Sequence, residues 1–198
     1  DVPTPDVTGH VLEALGVAGH TYANNENVRR AVDFLKDQQV PTSNPMMWKG
    51  RWGINYLYGT SAALVGLHSV GVTESTPMVK NALQWLIKRQ NQDGGWGEDS
   101  LSYENSRYAG VGKSTPTQTA WALLPLIEYG YHKEKVVKKG LEYLVSQFNT
   151  DGKWTDLSAT GTGAPKMIYM DYNSYEYTFP LIAIGRYLNK LKEEIDNF

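Results

Sequence analysis

The 198 residues suffice for one sizeable hydrophobic core but not for two ordinary domains, so we expect a single domain over residues 1–198. The formal net charge of −2 and the lack of a long run of Lys and Arg argue against nucleic acid as a partner, because phosphate neutralisation requires a concentrated basic surface. Cysteine is absent, which excludes disulfides and thiolate metal sites, and no apolar run approaches the roughly 20 residues of a membrane-spanning helix.

Helices are predicted along the whole chain because apolar residues recur at helical spacing, and no convincing strand alternation appears. In chain order they cover residues 7–15, 28–38, 58–70, 78–90, 117–129, 134–147 and 175–195. The third and fifth are apolar almost all round, whereas the second, fourth and sixth carry one apolar face. Asp6 stands at the expected N-cap of the first helix, and Thr76-Pro77 and Thr115-Pro116 combine a capping residue with proline at the first helical position.

The amphipathic helices end in three related joints: RAVDFLKDQQ…GRW, NALQWLIKRQNQDGGW and KGLEYLVSQFNTDGKW. Their recurrence every ~50 residues is typical of stacked helical hairpins. The predicted fold is therefore all-α, an α/α barrel (toroid) with apolar helices inside and amphipathic helices outside. About seven helices would form only an incomplete barrel.

Each joint places a turn and then a tryptophan after the end of a helix. Gly94, Gly95 and Gly152 are predicted to take the positive φ that reverses the chain, and Gln90 carries donors and an acceptor for unpaired helix-end groups. The last joint has Phe148 in place of the glutamine, and the first carries the insertion VPTSNPMM. Because the joint recurs whereas an active site normally occurs once, we interpret it as a structural clamp. The predicted clamp residues are Gln39, Trp48, Gln90, Gly95, Trp96, Gly152 and Trp154.

Four longer segments carry a resemblance to a known family. The joints match the QW motif of the triterpene cyclases. TPDVTGHVLEALG, GRWGINYLYGT, QNQDGGWGEDSLSYENSRYAGVGKSTPTQTAWALL and GTGAPKMIYMDYNSYEYTFPLIAIGRY occur in the same order as in squalene–hopene cyclases, from about Thr4 to about Leu188. The chain thus resembles the C-terminal part of a class II triterpene cyclase.

The resemblance implies an enzyme of two linked α/α barrels that protonates the terminal alkene of a polyprene, squalene or a longer analogue, and stabilises carbocations with aromatic faces in a dry cavity. It implies no metal and no cofactor, and a peripheral, monotopic position on the cytoplasmic side of a bacterial membrane, with lipid as a partner. The acid of such enzymes is an aspartate of a DxDD motif, which this sequence lacks. We therefore expect a soluble fragment that needs the missing N-terminal part of the same chain and is inactive alone.

The resemblance also assigns roles to individual residues. His10 matches the partner of the acidic aspartate, with Asp6 and Tyr58 as polar residues behind it. Hopene-forming enzymes carry phenylalanines at the positions of Ala164 and Ile168, so we expect a product with fewer rings or a longer, sesquarterpene precursor. The residues expected to face substrate and cations are Trp52, Ala164, Ile168, Met170, Tyr172 and Tyr175.

Other interpretations of the same residues remain open. His10 could be a core histidine, Asp6 only a cap, and the aromatic residues ordinary packing between hairpins. A carbohydrate-active α/α barrel would use Trp96 as a sugar platform and Glu98 or Asp99 as acid and base. A helical-repeat interaction domain would explain the joints without any chemistry. A zinc-dependent prenyltransferase subunit shares the barrel, but no Cys and no spaced His cluster is present to bind zinc.

Overall fold

The computed structural model describes residues 2–40, 46–156 and 158–196; residues 41–45 of the insertion in the first joint lie outside the described residues. The described part contains seven α-helices: α1 (Pro5–Val17), α2 (Glu26–Gln38), α3 (Tyr56–Ser69), α4 (Pro77–Lys88), α5 (Pro116–Glu128), α6 (Lys135–Gln147) and α7 (Tyr175–Asp196). Three short 3-10 helices lie at Ser100–Tyr103, Ser106–Tyr108 and Tyr131–Lys133, and two strands at β1 (Gly161–Ala164) and β2 (Ile168–Met170). None of the helices in this part of the chain is long and apolar enough to cross a membrane.

All seven predicted helices are present, with ends that differ from the prediction by only one or two residues. The predicted N-cap of the first helix is wrong. Thr4 is the N-cap, Pro5 is the first helical residue, and Asp6 follows inside the first turn. At the start of α4 the side chain of Thr76 accepts no capping hydrogen bond, whereas at the start of α5 the hydroxyl of Thr115 accepts one from the backbone N–H of Gln118.

The helices divide into an inner row and outer helices. Helices α1, α3, α5 and α7 pack one against the next and form the inner row, and α3 and α5 are buried over most of their length. Helices α2, α4 and α6 are the outer helices, and each buries one apolar face, such as Val28, Val32 and Leu35 of α2. The predicted arrangement of apolar inner and amphipathic outer helices is confirmed.

Glycine allows α1 and α3 to approach closely. A Cβ on Gly9 would meet the backbone oxygen of Ala62, and a Cβ on Gly66 would meet the backbone oxygen of Gly9, each at 2.2 Å. No other residue fits at such distances, because real Cβ atoms do not come within 3.0 Å of backbone. This contact brings His10, the residue after Gly9, against the side chains of α3.

The β-hairpin was not predicted from the sequence. Strands β1 and β2 pair antiparallel, with Gly161 opposite Met170 and Thr162 opposite Tyr169. Both strands are too short to show the alternation that indicates a strand, and two of the four residues of β1 are glycine. The hairpin is joined to the GRWGIN loop, since the backbone N–H of Thr162 donates to the carbonyl of Trp52 at 2.9 Å.

Candidate active site

His10 and Tyr58 meet where α1 crosses α3. The Nε2 atom of His10 lies 3.0 Å from the hydroxyl oxygen of Tyr58, and the imidazole is 48% exposed. Burial raises the pKa of Tyr58, and the negative charge of Asp6 raises it further. The phenol therefore stays neutral at physiological pH and can donate a hydrogen bond to the imidazole.

Asp6 binds a loop and does not contact His10 directly. Its side chain is buried, and its Oδ2 atom accepts hydrogen bonds from the backbone N–H groups of Arg51 at 2.9 Å and Trp52 at 3.0 Å. The hydroxyl of Thr4 donates to its other oxygen. A buried carboxylate with three such donors fixes the backbone on which Trp52 stands.

Trp52 does not line the same cavity as His10 and Tyr58. Its ring is 42% exposed, and the guanidinium carbon of Arg51 lies 4.6 Å from the ring centroid. With Val7 and Val11 of α1 the ring lines a depression of about 520 Å³. The structure thus places Trp52 and His10 on different cavities of the described chain.

A continuous row of aromatic rings crosses the inner helices. The ring centroids of Tyr58 and Trp121 are 4.8 Å apart, and Trp121 lies 5.5 Å from Phe179 and 6.3 Å from Tyr175. Tyr175 lies 4.9 Å from Phe179 and stacks on Tyr172 at 4.8 Å. We call these five residues the aromatic row; with His10 next to Tyr58, it links four of the residues that the resemblance singled out, namely His10, Tyr58, Tyr172 and Tyr175.

Two members of the aromatic row were missed in the sequence. Trp121 interrupts a run of small and aliphatic residues in PTQTAWALL, and this single bulky aromatic ring on an inner helix was the available signal. Phe179 follows Tyr175 by four residues and so shares its helix face. Neither stands in a position that the sequence alone distinguishes from core packing.

The row borders a cavity of about 220 Å³ between the inner helices. Its walls include His10, Glu13, Tyr58, Trp121, Phe179 and Arg186. Among the described residues the buried indole Nε1 of Trp121 has no hydrogen-bond partner. Most of this wall is therefore aromatic or aliphatic, with ionic groups gathered at the side of Glu13 and Arg186.

The β-hairpin places the three remaining predicted residues together. Ala164 pairs with Ile168 across the hairpin; Ala164 is half-buried and Ile168 is 55% exposed. The sulfur of Met170 lies 3.8 Å from the hydroxyl of Tyr172. Of the three, Met170 contacts the Tyr172 end of the aromatic row.

Glu98 and Asp99 are anchors of the backbone. The buried carboxylate of Glu98 accepts hydrogen bonds from the N–H groups of Tyr56 at 3.0 Å and Leu57 at 2.7 Å, at the start of α3. Burial raises the pKa of Glu98, and these two bonds partly offset the rise. Asp99 caps the 3-10 helix that begins at Ser100. Both side chains line a cavity of about 230 Å³, but each carboxylate accepts hydrogen bonds from backbone N–H groups, so neither is free to serve as the acid or base of glycoside hydrolysis.

The comparison with known proteins decides the family. Residues 1–189 match the Squalene-hopene cyclase C-terminal domain. The chain belongs to the squalene–hopene cyclase family. Among the described residues of this family member, no group of three or more His, Asp or Glu side chains is arranged to hold a metal ion.

Relatives agree with this assignment, and a solved structure has a similar fold. The squalene–hopene cyclase of Alicyclobacillus acidocaldarius is 47% identical over 187 residues, which are 94% of this chain and 29% of that protein. The sporulenol synthase of Bacillus subtilis is 39% identical over 197 residues, which are 100% of this chain and 30% of that protein. The fold is similar to that of ent-copalyl diphosphate synthase from Streptomyces platensis, with a TM-score of 0.66, 21% identity, and coverage of 94% of this chain and 34% of that chain. The chain spans less than a third of the length of these relatives.

The tryptophans of the squalene–hopene cyclase joints bind the helices that precede them. Each indole Nε1 donates to a carbonyl in the last turn of an outer helix. These bonds run from Trp48 to Leu35 (2.6 Å), from Trp96 to Leu86 (2.8 Å) and from Trp154 to Leu144 (2.8 Å).

The glutamines of the joints reach forward to the next outer helix. The Nε2 atom of Gln39 donates to the carbonyl of Met78 in the first turn of α4 at 3.0 Å. The Nε2 atom of Gln90 donates to the carbonyl of Val136 in the first turn of α6 at 2.8 Å, and also to Gly94 at 2.8 Å. Consecutive outer helices are thereby tied together by one side chain each.

The third joint keeps the turn but not the glutamine bond. Phe148 stands in its place and lies 4.6 Å from Trp154, ring to ring. Gly94 and Gly152 take positive φ values of 90° and 73°, as predicted. The same prediction for Gly95 is wrong: its φ is not positive, and glycine is required there because a Cβ would lie 2.6 Å from the Cβ of Ser114.

Proposed function

We propose that this chain is one domain that forms a wall of the reaction cavity of a class II terpene cyclase. The enzyme cyclises a linear polyprene, squalene or a longer analogue, by protonation of a terminal alkene followed by a carbocation cascade, as an isomerase or a hydrating lyase. The observation that carries this proposal is the aromatic row, which begins beside His10 and continues to Tyr172 over the faces of the inner helices.

The chemistry of the row suits a migrating positive charge. An aromatic face attracts a cation by about 0.5–2 kcal/mol, most strongly where water is excluded. Burial raises the pKa values of Tyr58 and Tyr175, so both rings remain neutral phenols that cannot trap a cation as phenolates. Trp121, whose ring is 1% exposed, offers the most extended π-system of the row.

The proton comes from outside these residues. The sequence contains no DxDD motif, and the chain covers 29% of the relative from Alicyclobacillus acidocaldarius. We place the acidic aspartate in an N-terminal part of the full-length chain, with its carboxyl group next to the exposed side of His10. The imidazole would orient the aspartate and return the proton after each turnover, with Asp6 and Tyr58 supporting the wall around it.

The residues of the hairpin set the product. Ala164 and Ile168, which pair across the hairpin, offer no aromatic face to the later cations and leave them less stabilised. We propose that the full-length enzyme stops at fewer rings or accepts a longer precursor than squalene. Relatives of similar identity carry the names squalene–hopene cyclase and sporulenol synthase, which fits a family with more than one product.

The membrane supplies the substrate. A linear polyprene dissolves in the acyl region of a bilayer, so an enzyme that takes it up gains from lying on the membrane surface. We propose a peripheral, monotopic position of the full-length protein on the cytoplasmic side of a bacterial membrane. Co-sedimentation of the full-length protein with phospholipid vesicles is expected; a protein that stays in the supernatant at low and high lipid would contradict it.

The test of the function is product analysis. We expect the full-length enzyme, incubated with squalene and with a C35 polyprene, to give cyclic products by gas chromatography and mass spectrometry. The variant His10→Ala should lose at least about 100-fold in rate, because positioned acid–base groups contribute that much. The matched variant His20→Ala, on an exposed turn, should keep its rate. Cyclisation by His10→Ala at the wild-type rate would remove His10 from the mechanism.

A further inference from the structure

Two groups face the imidazole of His10 from opposite edges. Its Nε2 atom lies 3.0 Å from the Tyr58 hydroxyl, and its Nδ1 atom lies 3.9 Å from the Oε2 atom of Glu13. Glu13 stands three residues further along α1, so both side chains lie on the same face of one helix. An imidazole flanked in this way has a preferred ring orientation, with Nδ1 towards the carboxylate and Nε2 towards the cavity wall.

Glu13 is itself held in place by a second helix. The Nη2 atom of Arg186 lies 2.6 Å from its Oε1 atom, and the Nη1 atom of Arg186 lies 2.8 Å from the Oε1 atom of Glu128. Arg186 belongs to α7 and Glu128 to α5, so the network joins three inner helices. His10 first, and Arg186 second, lower the pKa of Glu13 to about 2, although burial opposes the shift. The carboxylate is therefore charged at neutral pH.

We propose that Glu13 is a positioning residue for His10. Its carboxylate, fixed by Arg186, faces Nδ1 and favours the ring orientation in which Nε2 points to the cavity wall. This inference rests on the proposed function, because His10 acts on the proton donor there. The arrangement is the general one in which a carboxylate orients an acid–base histidine.

The structure also contains a matched control for this role. Glu128 binds the same guanidinium at a similar distance, but its other oxygen lies 3.8 Å from the Nδ1 atom of His68, away from His10. Removal of either carboxylate takes one ion pair from Arg186 and leaves the other. Only the removal of Glu13 changes the surroundings of His10.

The test compares Glu13→Gln with Glu128→Gln in the full-length enzyme. We expect Glu13→Gln to lower kcat about 10-fold with KM unchanged, as for other carboxylates that orient a functional histidine. Glu128→Gln should keep kcat within about twofold, while both variants lower the melting temperature to a similar extent. Equal kcat values for the two variants, or a full kcat for Glu13→Gln, would overturn the inference.

Two further measurements keep the test decisive. If Glu13→Gln does not fold, Arg186→Gln is compared with the double variant Glu13→Gln/Arg186→Gln, in which no unpaired cation remains. A kcat about 10-fold lower in the double variant than in Arg186→Gln supports the inference. Equal kcat values for these two variants overturn it. His10→Ala separates the two proposals. If His10→Ala loses rate while Glu13→Gln and Glu128→Gln have equal kcat values, only the role of Glu13 is rejected. If His10→Ala keeps the wild-type rate, the role of Glu13 and the role of His10 in the proposed function are both rejected.

Discussion

Single residues on the β-hairpin determine how much π-surface surrounds the late stages of the proposed reaction. Ala164 and Ile168 are partners across the hairpin, and the next residues along the chain connect to Tyr172. The side chains at these two positions are therefore neighbours on the hairpin that leads to Tyr172. Aliphatic residues there fill space but offer no quadrupole to a cation.

The double variant Ala164→Phe/Ile168→Phe should shift the product mixture of the full-length enzyme towards more rings. Each added aromatic face stabilises a nearby cation by ~1 kcal/mol or more, which corresponds to about a fivefold change in product ratio. The measurement is the ratio of products by gas chromatography. Met167→Phe, at an 81% exposed position of the same hairpin, serves as the control and should leave the ratio unchanged. Pentacyclic hopene as the main wild-type product would contradict the premise.

Residue roles were only partly predictable from the sequence. Asp6 was expected to cap α1, yet its carboxylate binds the N–H groups of Arg51 and Trp52, residues that the fold brings close from 45 positions away. Trp121 was missed because nothing local distinguishes an aromatic side chain that lines a cavity from one that fills a core. Such assignments depend on tertiary neighbours, which a helical period does not encode.

At the scale of elements, the outer helices are connected by the joints and the inner helices by close packing. Gln90 makes two hydrogen bonds of 2.8 Å, and one of them reaches the next outer helix. The third joint offers an internal comparison, since Gln147 is exposed and donates only to the hydroxyl of Ser146 at 3.4 Å. The helices themselves were predictable, because period and proline position are local properties of the sequence.

The variant Gln90→Ala should lower the free energy of unfolding of the full-length protein by about 1–3 kcal/mol, because it leaves partly buried carbonyls without their donor. Gln147→Ala should change it by less than about 0.5 kcal/mol. Urea denaturation measures both. Equal effects of the two substitutions would show that the clamp contributes no more than an exposed side chain.

Glu98, whose carboxyl group binds the first N–H groups of α3, makes the free energy of unfolding depend on pH. Its pKa is raised by burial in the folded state, so the folded protein binds its proton more tightly than the unfolded chain does. The contribution of Glu98 is therefore fully present below the ordinary pKa of glutamate and is lost as the pH rises through the folded value. The free energy of unfolding of the wild type, minus that of Glu98→Gln, should increase as the pH falls from 8 to 5 in urea titrations; a difference that stays constant would contradict this.

At the scale of the whole molecule, the described chain leaves His10 and apolar residues of α7 exposed, whereas Trp121 in the middle of the aromatic row is buried. The imidazole of His10 is half-exposed, and apolar residues of α7 such as Leu181 and Leu188 are more than half-exposed. The general architecture was predictable from the recurrence of the joints. The hairpin was not, because its two strands gain their hydrogen bonds from each other and from the GRWGIN loop and show no sequence pattern of their own.

The 198 residues by themselves should not cyclise squalene. They hold aromatic faces and a histidine, but no DxDD acid that could protonate an alkene. Incubation of this chain with squalene in detergent, followed by mass spectrometry, should return the substrate unchanged, while the full-length enzyme under the same conditions should convert it. A polycyclic product from the 198 residues would show that another group donates the proton.

Gln39 and Gln90 each bind the outer helix that follows in the chain, so the joints couple the repeats in chain order. Because each glutamine connects one helical hairpin to the next, the stability of each hairpin depends on its neighbours, as in other repeat proteins. At the third joint Phe148 takes the place of the glutamine and makes no such hydrogen bond. We therefore expect the segment after residue 148 to unfold locally more independently of the other helices. Amide hydrogen exchange should then be slowest in α3 and α4 and quicken towards α7. Local unfolding near Tyr172 and Tyr175 would make room for a bulky polycyclic product on that side of the cavity. The geometry around His10 on α1 would stay unchanged.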